Sequence, residues 1–191
     1  MTTMTTDLSK FDNSWYHPGP LWKRALWYLI NELFIRCRMI PFSGLKVLLL
    51  RLFGAKVGNG VVIKPGVSIK YPWKLTIGDR CWIGEGVQID NLAQVTIGNN
   101  VCLSQGAMLQ CGNHNYRKST FDLIIGGITL EEGVWIGAKS VVCPGVTCRS
   151  HAVLTVGSVA TKDLEAWSVF QGNPAVKIKE RLFEKEEISR E

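Results

Sequence analysis

The sequence is poor in the residues that bind metals and form disulfides. It contains only three histidines, His17, His114 and His151, and its six cysteines include no C-x-x-C pair. A catalytic zinc site commonly takes three histidine ligands that converge. His17 lies outside the repeats described below, and His151 falls later in them than His114. We therefore expect no metal site, and we expect reduced thiols in a cytoplasmic protein.

Long apolar runs and strong charge are also missing. No stretch reaches the roughly 18 uninterrupted apolar residues of a membrane span, and the start does not read as a cleavable signal peptide. Residues 1–56 hold eight Lys/Arg against three Asp/Glu, whereas residues 57–191 hold fourteen against thirteen. No continuous basic stripe is present, so we expect no nucleic-acid binding. The basic N-terminal segment is either a solvated helix face or a contact with an anionic membrane surface.

Two amphipathic helices are predicted in this N-terminal segment. Residues 21–37 carry apolar side chains at helical spacing, and a second helix is predicted from Ser43, as N-cap, to Gly54. These helices either dock on the domain that follows or lie in a membrane interface, which would be the inner face of the membrane, and the pattern favours docking.

After residue 56 apolar residues recur every six positions, in runs that break and restart. The leading positions are Val57, Ile63, Ile69, Ile77, Ile83, Ile89, Ile97, Leu103, Leu109, Leu130, Ile136, Val142, Cys148, Leu154 and Ala160. A period of six is not helical, but it is a multiple of the two-residue strand period. Each hexad therefore predicts a short strand followed by a tight turn.

The predicted fold class is mainly β, a parallel β-helix of about five triangular coils with N-terminal helices and a short C-terminal helix. We expect a helical extension over residues 1–56 and the β-helix over residues 57–172. A tail over residues 173–191 would contain the C-terminal helix, predicted over residues 174–187. These end segments would cover the open edges of the coils.

One interruption of the repeat is longer than the others. Residues 110–129 read QCGNHNYRKSTFDLIIGGIT, which predicts a polar loop within a regular scaffold. Such a loop favours a functional role. It carries His114, whose imidazole is suited to act as a general base near neutral pH. A backbone carbonyl or Asp122 could orient this ring.

Four segments together resemble the left-handed β-helix acyltransferases. They are the hexad repeats and residues 111–116, 133–137 and 171–175. Within that superfamily the chain is most similar to the colanic-acid-biosynthesis acetyltransferases, and the similarity extends to residues 11–16. The resemblance implies the left hand of the coil, acetyl-CoA as acyl donor and a homotrimer with shared sites. It also implies O-acetylation of a sugar hydroxyl in polysaccharide or lipid-linked saccharide biosynthesis.

The same resemblance implies roles for individual residues. The residue matching His114 removes the proton from the acceptor hydroxyl, whose oxygen then attacks the thioester directly. The residues implied in cofactor binding are Ala138, Val156, Thr161, Lys162 and Lys179. Val176 stands where the family has a second phosphate-binding arginine, which departs from the pattern. The residues implied in acceptor binding are Asp90, Asn91 and Trp135.

Other functions remain open on the sequence alone. An N-acetyltransferase of an amino sugar would share the scaffold and the cofactor. A structural or binding β-helix would have no activity for His114 to support. Cys111 and His114 form one C-x-x-H pair, so a covalent thiol route is a further alternative, although structural packing is the favoured role for Cys111.

Overall fold

Two N-terminal helices lead into a stack of short strands in the computed structural model, which describes residues 5–184. Helix α1 covers Leu21–Ile30 and continues as a π-helical turn over Asn31–Ile35, and helix α2 covers Ser43–Leu52. Trp27, Ile35 and Leu50 are buried in the same core as the coils. The predicted docking of the helices is therefore confirmed. No helix within residues 5–184 has the length and apolar character needed to cross a bilayer.

The strands form five complete coils of three strands each. The first three coils are β1 (Lys56–Val57), β2 (Val62–Ile63), β3 (Ser68–Ile69), β4 (Leu75–Ile77), β5 (Trp82–Ile83), β6 (Gln88–Asp90), β7 (Val95–Ile97), β8 (Cys102–Leu103) and β9 (Met108–Gln110). A hairpin of β10 (Gly112–His114) and β11 (Leu123–Ile125) interrupts the stack. The fourth and fifth coils are β12 (Ile128–Leu130), β13 (Trp135–Ile136), β14 (Val141–Val142), β15 (Thr147–Cys148), β16 (Val153–Leu154) and β17 (Val159–Ala160). Strand β18 (Ser168–Gly172) begins a sixth coil.

Strands at equivalent positions of successive coils pair in parallel and form three faces. Face A contains β1, β4, β7, β12 and β15; face B contains β2, β5, β8, β13, β16 and β18; face C contains β3, β6, β9, β14 and β17. All fifteen leading hexad positions are buried between the faces. The hexad interpretation and the parallel β-helix are therefore confirmed.

Small residues in the turns let neighbouring coils approach closely. Gly137 follows β13, and its N–H donates to Leu154 O at 2.7 Å. A Cβ at this position would lie 2.6 Å from Val156 N and 2.7 Å from Leu154 O. The turn therefore has space for hydrogen only, which explains a glycine directly after a hexad position.

The C-terminal prediction is wrong over the part of residues 174–187 that is described. Ala175–Glu180 forms strand β19, which pairs antiparallel with β18. Gly172, at φ +104°, lies at the turn between them. The last coil ends in an open strand edge whose backbone groups need partners, and β19 supplies them. The remainder of the predicted helix, residues 185–187, lies outside the described residues.

Two corners of the triangular coils matter for function. The CA corner joins face C to face A, and the β10–β11 hairpin leaves the coil there, between β9 and β12. The BC corner joins face B to face C, and Gly137 lies at it in the fourth coil. The two corners form opposite edges of face C.

Candidate active site

His114 ends strand β10 and lies inside a small aromatic cluster. Its Nδ1 is 2.9 Å from the carbonyl oxygen of Phe121. The Phe121 ring stacks on the imidazole at 4.4 Å between centroids with an interplanar angle of 8°, and the Phe11 ring lies at 5.7 Å. Hydrogen bond and stacking together hold the ring in one orientation.

The partner of Nδ1 determines which ring nitrogen carries the proton in the neutral imidazole. A carbonyl oxygen can only accept, so Nδ1 must be the protonated nitrogen when it bonds to Phe121 O. Nε2 then carries the free lone pair. This is the tautomer that a general base requires if the reacting hydroxyl approaches Nε2.

Phe121 contributes through its backbone as well as its ring. It adopts φ +53°, in the left-handed region that non-glycine residues seldom occupy. Local strain of this kind is tolerated where the surrounding structure imposes it. Here the Phe121 N–H donates to Lys118 O at 3.1 Å while its carbonyl meets His114. The loop thus aims a backbone carbonyl at the imidazole.

Asp122, one of the two suggested orienting partners of His114, is engaged elsewhere. Its carboxylate accepts hydrogen bonds from Lys118 Nζ at 2.7 Å and Thr120 Oγ1 at 2.5 Å. The hydrogen bond from Lys118 is the main cause that lowers the pKa of Asp122. Its backbone carbonyl accepts from Asn115 N at 2.8 Å. Asp122 therefore shapes the loop, and the backbone carbonyl is the partner of His114.

The imidazole lines a cleft of about 400 Å³ whose walls come from distant parts of the sequence. The N-terminal segment supplies Phe11 and Tyr16, and the CA corner supplies Leu92. Tyr16 Oη donates to Leu92 O at 2.7 Å, and Asp7 N donates to Ser119 O at 2.8 Å. The chain before α1 is thus fastened over the hairpin and closes one side of the cleft.

Cys111, three residues before His114, is fully buried. Burial raises the pKa of its thiol to about 11, so the reactive thiolate is scarce near neutral pH. Its carbonyl accepts from Gly126 N at 2.9 Å where the hairpin returns to the coil. These contacts support the packing role and argue against a covalent route through this thiol.

The three residues suggested for acceptor binding occupy different environments. Asp90 ends β6 at the CA corner near the hairpin, and it pairs with Lys70 Nζ at 2.8 Å. Trp135 is 46% exposed and points outward from face B, with its Nε1 donating to Ser104 Oγ at 2.9 Å.

Asn91 requires a correction. Its side chain is fully buried, and its Oδ1 accepts from Tyr71 N at 2.9 Å. Its Nδ2 donates to the carbonyls of Tyr71 and Lys74. All of its polar atoms serve the backbone of the preceding coil, so this side chain has none left for a substrate, and we do not place it in the acceptor site.

The residues suggested for cofactor binding fall into three places. Ala138 and Val156 stack one above the other at the BC corner, where Gly157 N donates to Ala138 O at 2.9 Å. Thr161 and Lys162 follow β17 at the CA corner, and both are exposed. Lys179 lies on β19, opposite Val169 of face B. A single chain does not bring Ala138 and Val156 to the corner of His114.

No group of three or more His, Cys, Asp or Glu within residues 5–184 is arranged to hold a metal ion. His151 instead packs against Trp167 at 4.1 Å between ring centroids, in a turn with φ +60°.

Three residues that form the site, Phe11, Tyr16 and Phe121, were not predicted from the sequence. Phe11 and Tyr16 lie within the N-terminal segment that the resemblance includes, but nothing in the sequence places them beside the loop. Phe121 acts through its carbonyl, which no side-chain pattern reveals. An aromatic residue in a polar loop is the one available signal for it.

The chain is similar to known acetyltransferases in sequence and in structure. It is 37% identical over 177 residues to a protein named as the colanic acid biosynthesis acetyltransferase WcaF of Escherichia coli (strain K12), covering 92% of this chain and 97% of that relative. A solved hexapeptide-repeat acetyltransferase, VCA0836 of Vibrio cholerae, matches with a TM-score of 0.75 at 23% identity, over 86% of this chain and 96% of that chain.

A second solved structure is a galactoside acetyltransferase in complex with coenzyme A. It matches with a TM-score of 0.74 at 26% identity, over 84% of this chain and 82% of that chain. A scan against protein-family models finds no match.

The fold is the left-handed parallel β-helix of the solved hexapeptide-repeat acetyltransferases, and the sequence relatives show that the chain is an acetyltransferase. Within that class the identity to the colanic acid relative, over nearly the whole of both chains, is decisive. The chain belongs to the family of the colanic acid biosynthesis acetyltransferases.

Proposed function

We propose that the protein transfers an acetyl group from acetyl-CoA to a hydroxyl of a sugar, with His114 as the general base. His114 Nε2 takes the proton from the hydroxyl while the oxygen attacks the thioester carbonyl. The C–S bond then breaks, and the imidazolium returns the proton to the departing thiolate. Donor and nucleophile are supported by relatives, since one solved relative holds coenzyme A and acts on a galactoside, as its name states.

One observation carries the role of His114. The 2.9 Å contact between Nδ1 and Phe121 O sets the tautomer that leaves Nε2 free to accept a proton. General-base catalysis of this kind contributes about 10²- to 10⁴-fold to a rate. A histidine with its Nδ1 free would have no such preference between tautomers.

We also propose a homotrimer in which each active site is shared. His114 lies at the CA corner, whereas the suggested cofactor residues Ala138 and Val156 lie at the BC corner, on the opposite edge of face C. A second copy can bring its BC corner to the His114 hairpin. Trp135 of this second copy is exposed on face B beside the BC corner. It would then reach the acceptor that is bound at the His114 hairpin of the first copy.

Coexpression of two inactive variants tests the sharing. His114→Ala removes the base, and Val156→Trp places a bulky ring at the BC corner, where Val156 is 70% exposed and is proposed to contact the cofactor. We expect mixed oligomers to regain activity, because some sites combine an intact hairpin with an intact corner. Absence of any recovery in oligomers shown to be mixed would contradict a shared site.

The cofactor would extend from the BC corner toward cations near its phosphates. Lys179 and, from the CA corner of the second copy, Lys162 are exposed and are proposed to meet these phosphates, with Thr161 beside Lys162. We expect Lys162→Gln and Lys179→Gln each to raise the KM for acetyl-CoA with little change in kcat. A change in kcat alone would contradict this assignment.

The acceptor is proposed to belong to polysaccharide or lipid-linked saccharide assembly in the cytoplasm, at the inner face of the membrane. Residues 1–56 carry a surplus of five positive charges. One side of α1 and the π-turn displays Trp22, Leu26, Leu29 and Leu33, which are 46% to 68% exposed. A basic segment with an exposed apolar stripe suits an anionic lipid surface.

Flotation with vesicles of phosphatidylglycerol and phosphatidylethanolamine tests this contact. We expect the native protein to float and the double variant Leu26→Ser, Leu29→Ser to remain in the lower fractions. Leu182→Ser is the matched control, because Leu182 is 87% exposed but lies far along the chain from the helices. Equal flotation of native protein and double variant would contradict membrane contact.

The proposed reaction itself is tested by thiol release from acetyl-CoA with a panel of sugars and amino sugars, with the products identified by mass spectrometry. Ester products that form with the native protein but not with His114→Ala are expected. Products confined to amines would instead establish an N-acetyltransferase. No transfer to any member of a broad panel would favour a binding role for the β-helix.

A further inference from the structure

Helix α2 covers the open edge of the first coil with its polar side chains. Ser43 Oγ bonds to both the N–H and the carbonyl of Ile63, at 3.0 and 3.3 Å. Lys46 Nζ donates to Lys64 O at 3.0 Å. Arg51, the other charged residue of α2, donates to first-coil carbonyls through its Nε and Nη2. These bonds satisfy backbone groups that an open strand edge would leave unpaired, and they hold both charges of α2 against the protein.

The opposite side of α2 is apolar and exposed. Leu45, Leu48 and Leu52 are spaced three and four residues apart, so they form one stripe along the helix. Phe42 directly precedes the helix, and all four side chains are 37% to 70% exposed. We call these four residues the α2 stripe. Because α2 lies across the end of the coils, the stripe faces away from them, and an exposed apolar face of this kind marks an interaction surface.

The chain around the α2 stripe is strongly basic. Residues 33–78, which include α2 and the whole first coil, contain eight Lys/Arg and no Asp or Glu. Arg36 and Lys70 pair with carboxylates outside this stretch. Arg38 and Lys56, which precede and follow α2, are exposed and form no ion pair within residues 5–184. An apolar stripe accompanied by free cations has the composition of a surface that binds anionic lipid.

The same charge argues against a second copy of the chain as the partner of the α2 stripe. Two stripes packed together would bring two first coils close to each other, each with the cations of residues 33–78 and no carboxylate from that stretch. Like charges placed together across an interface cost free energy. The proposed trimer leaves the stripe uncovered, because its contacts involve the CA and BC corners at the sides of the coils.

We propose that the α2 stripe lies in the outer part of an anionic lipid monolayer, with Arg38 and Lys56 at the headgroups and the coil axis upright on the membrane. This inference rests on the membrane contact proposed above and assigns its anchor and its orientation. In a cyclic trimer all three chains point the same way along the symmetry axis. Three stripes would then meet one membrane, and their combined binding would exceed that of a single stripe.

Cosedimentation with vesicles, without acetyl-CoA or acceptor, tests the α2 stripe. Full-length protein is mixed with vesicles of phosphatidylglycerol and phosphatidylethanolamine, or of phosphatidylcholine alone. We expect partitioning onto the anionic vesicles to be stronger by about tenfold or more. The double variant Leu48→Gln, Leu52→Gln should lower this partitioning by about tenfold or more, because two apolar side chains are lost from the lipid contact. Glutamine has nearly the helix propensity of leucine, so α2 should be retained.

Leu182→Gln is the matched control, because Leu182 is an exposed leucine that follows β19, at the opposite end of the coils. It should partition as the native protein does. Arg38→Gln and Lys56→Gln should each weaken binding to anionic vesicles by roughly fivefold and leave binding to phosphatidylcholine unchanged. Thermal melting of each variant verifies the fold, and Leu52→Gln alone replaces the double variant if that melts early.

Equal partitioning of native protein and folded double variant onto anionic vesicles would overturn the inference. So would a native protein that binds no anionic vesicles, or that binds both kinds equally. A native protein that doubles its oligomeric mass without lipid, while the double variant does not, would assign the α2 stripe to a second copy and overturn the lipid assignment.

Failure of the proposed function is distinguishable from failure of this inference. Vesicle binding that depends on the α2 stripe, without any acetyl transfer, would leave the lipid surface standing and remove only the reaction. Vesicle binding that is lost in Leu26→Ser, Leu29→Ser but kept in Leu48→Gln, Leu52→Gln would leave the membrane contact of α1 standing and remove only the anchor on α2.

Discussion

Replacing Gly137 by alanine tests whether the close approach of successive coils holds the β-helix together. The added Cβ would lie 2.6 Å from Val156 N, 2.7 Å from Leu154 O and 2.7 Å from Thr155 C. All three atoms belong to the backbone of the next coil, so no side chain can move aside. The coils must separate by several tenths of an ångström or more to reach an ordinary contact of 3.4 Å or longer.

The expected cost follows from two contributions. Separation weakens the hydrogen bond from Gly137 N to Leu154 O, now 2.7 Å long, and a backbone hydrogen bond is worth about 0.5–1.5 kcal/mol net. Overpacking of a close-packed interior costs roughly 1–3 kcal/mol. We therefore expect Gly137→Ala to lower the free energy of unfolding by about 2–4 kcal/mol.

Alanine at two other glycines distinguishes the steric cost of an added Cβ from the cost of a left-handed backbone conformation. Gly86 has φ +68°, and a Cβ built there has no atom within 4 Å. Gly86→Ala should therefore lower the free energy of unfolding only through the left-handed backbone conformation, by about 1–2 kcal/mol. Gly44, in α2, has neither constraint, so alanine there should stabilise by roughly 0.4–1 kcal/mol.

Guanidinium unfolding of the four proteins, followed by circular dichroism, gives the comparison. The predicted order of stability is Gly44→Ala, native, Gly86→Ala, Gly137→Ala. The reasoning would be refuted if Gly137→Ala unfolded at or above the midpoint of Gly86→Ala, because contact with the next coil would then cost no more than a left-handed backbone conformation alone.

Three further predictions concern the candidate site. In nitrogen NMR spectra of the neutral His114 ring, Nδ1 should be protonated and Nε2 should not; the opposite tautomer would contradict the contact with Phe121 O. Phe121→Ala keeps that carbonyl but removes a stacked ring worth about 0.5–1.5 kcal/mol, so kcat should fall roughly 2- to 13-fold, and a loss as large as that of His114→Ala would show that stacking dominates. Because burial raises the pKa of Cys111 to about 11, iodoacetamide should leave this thiol unmodified near neutral pH until the protein is unfolded, as followed by mass spectrometry; rapid labelling of the folded protein would contradict its burial.

The repeat made the scaffold predictable. Residues such as Ile63, Ile83 and Leu103 pair in register on face B, and their six-residue spacing is visible without any structure because every coil repeats the same environment. The interruption at residues 110–129 was visible for the same reason. Departure from a strict period identifies a segment that does something other than stack.

Features set by backbone or by distant contacts were not predictable. The orienting group of His114 is the carbonyl of Phe121, and a carbonyl has no sequence signature. Strand β19 forms because β18 presents an open edge, which a local helical pattern ignores. Asn91 is a polar residue of the kind that contacts a substrate, yet its hydrogen bonds to Tyr71 and Lys74 make it part of the scaffold.

The packing of the N-terminal segment on the hairpin is the largest feature of the site that the sequence did not predict. Phe11 and Tyr16 lie about a hundred residues from His114 along the chain, and they meet it only because α1 docks beside the CA corner. Long-range placement of this kind depends on the assembled coils rather than on local pattern. The sequence therefore predicted the histidine of the cleft, but it did not predict the residues that form the walls of the cleft.

The most direct test of the account is the rate of acetyl transfer by His114→Ala to the best acceptor of the native protein. His17→Ala is the matched control, because His17 is exposed and does not line the cleft. We predict that kcat falls by about 10²- to 10⁴-fold in His114→Ala and stays at the native value in His17→Ala. Transfer by folded His114→Ala at the native rate would contradict the assignment of His114 as the general base.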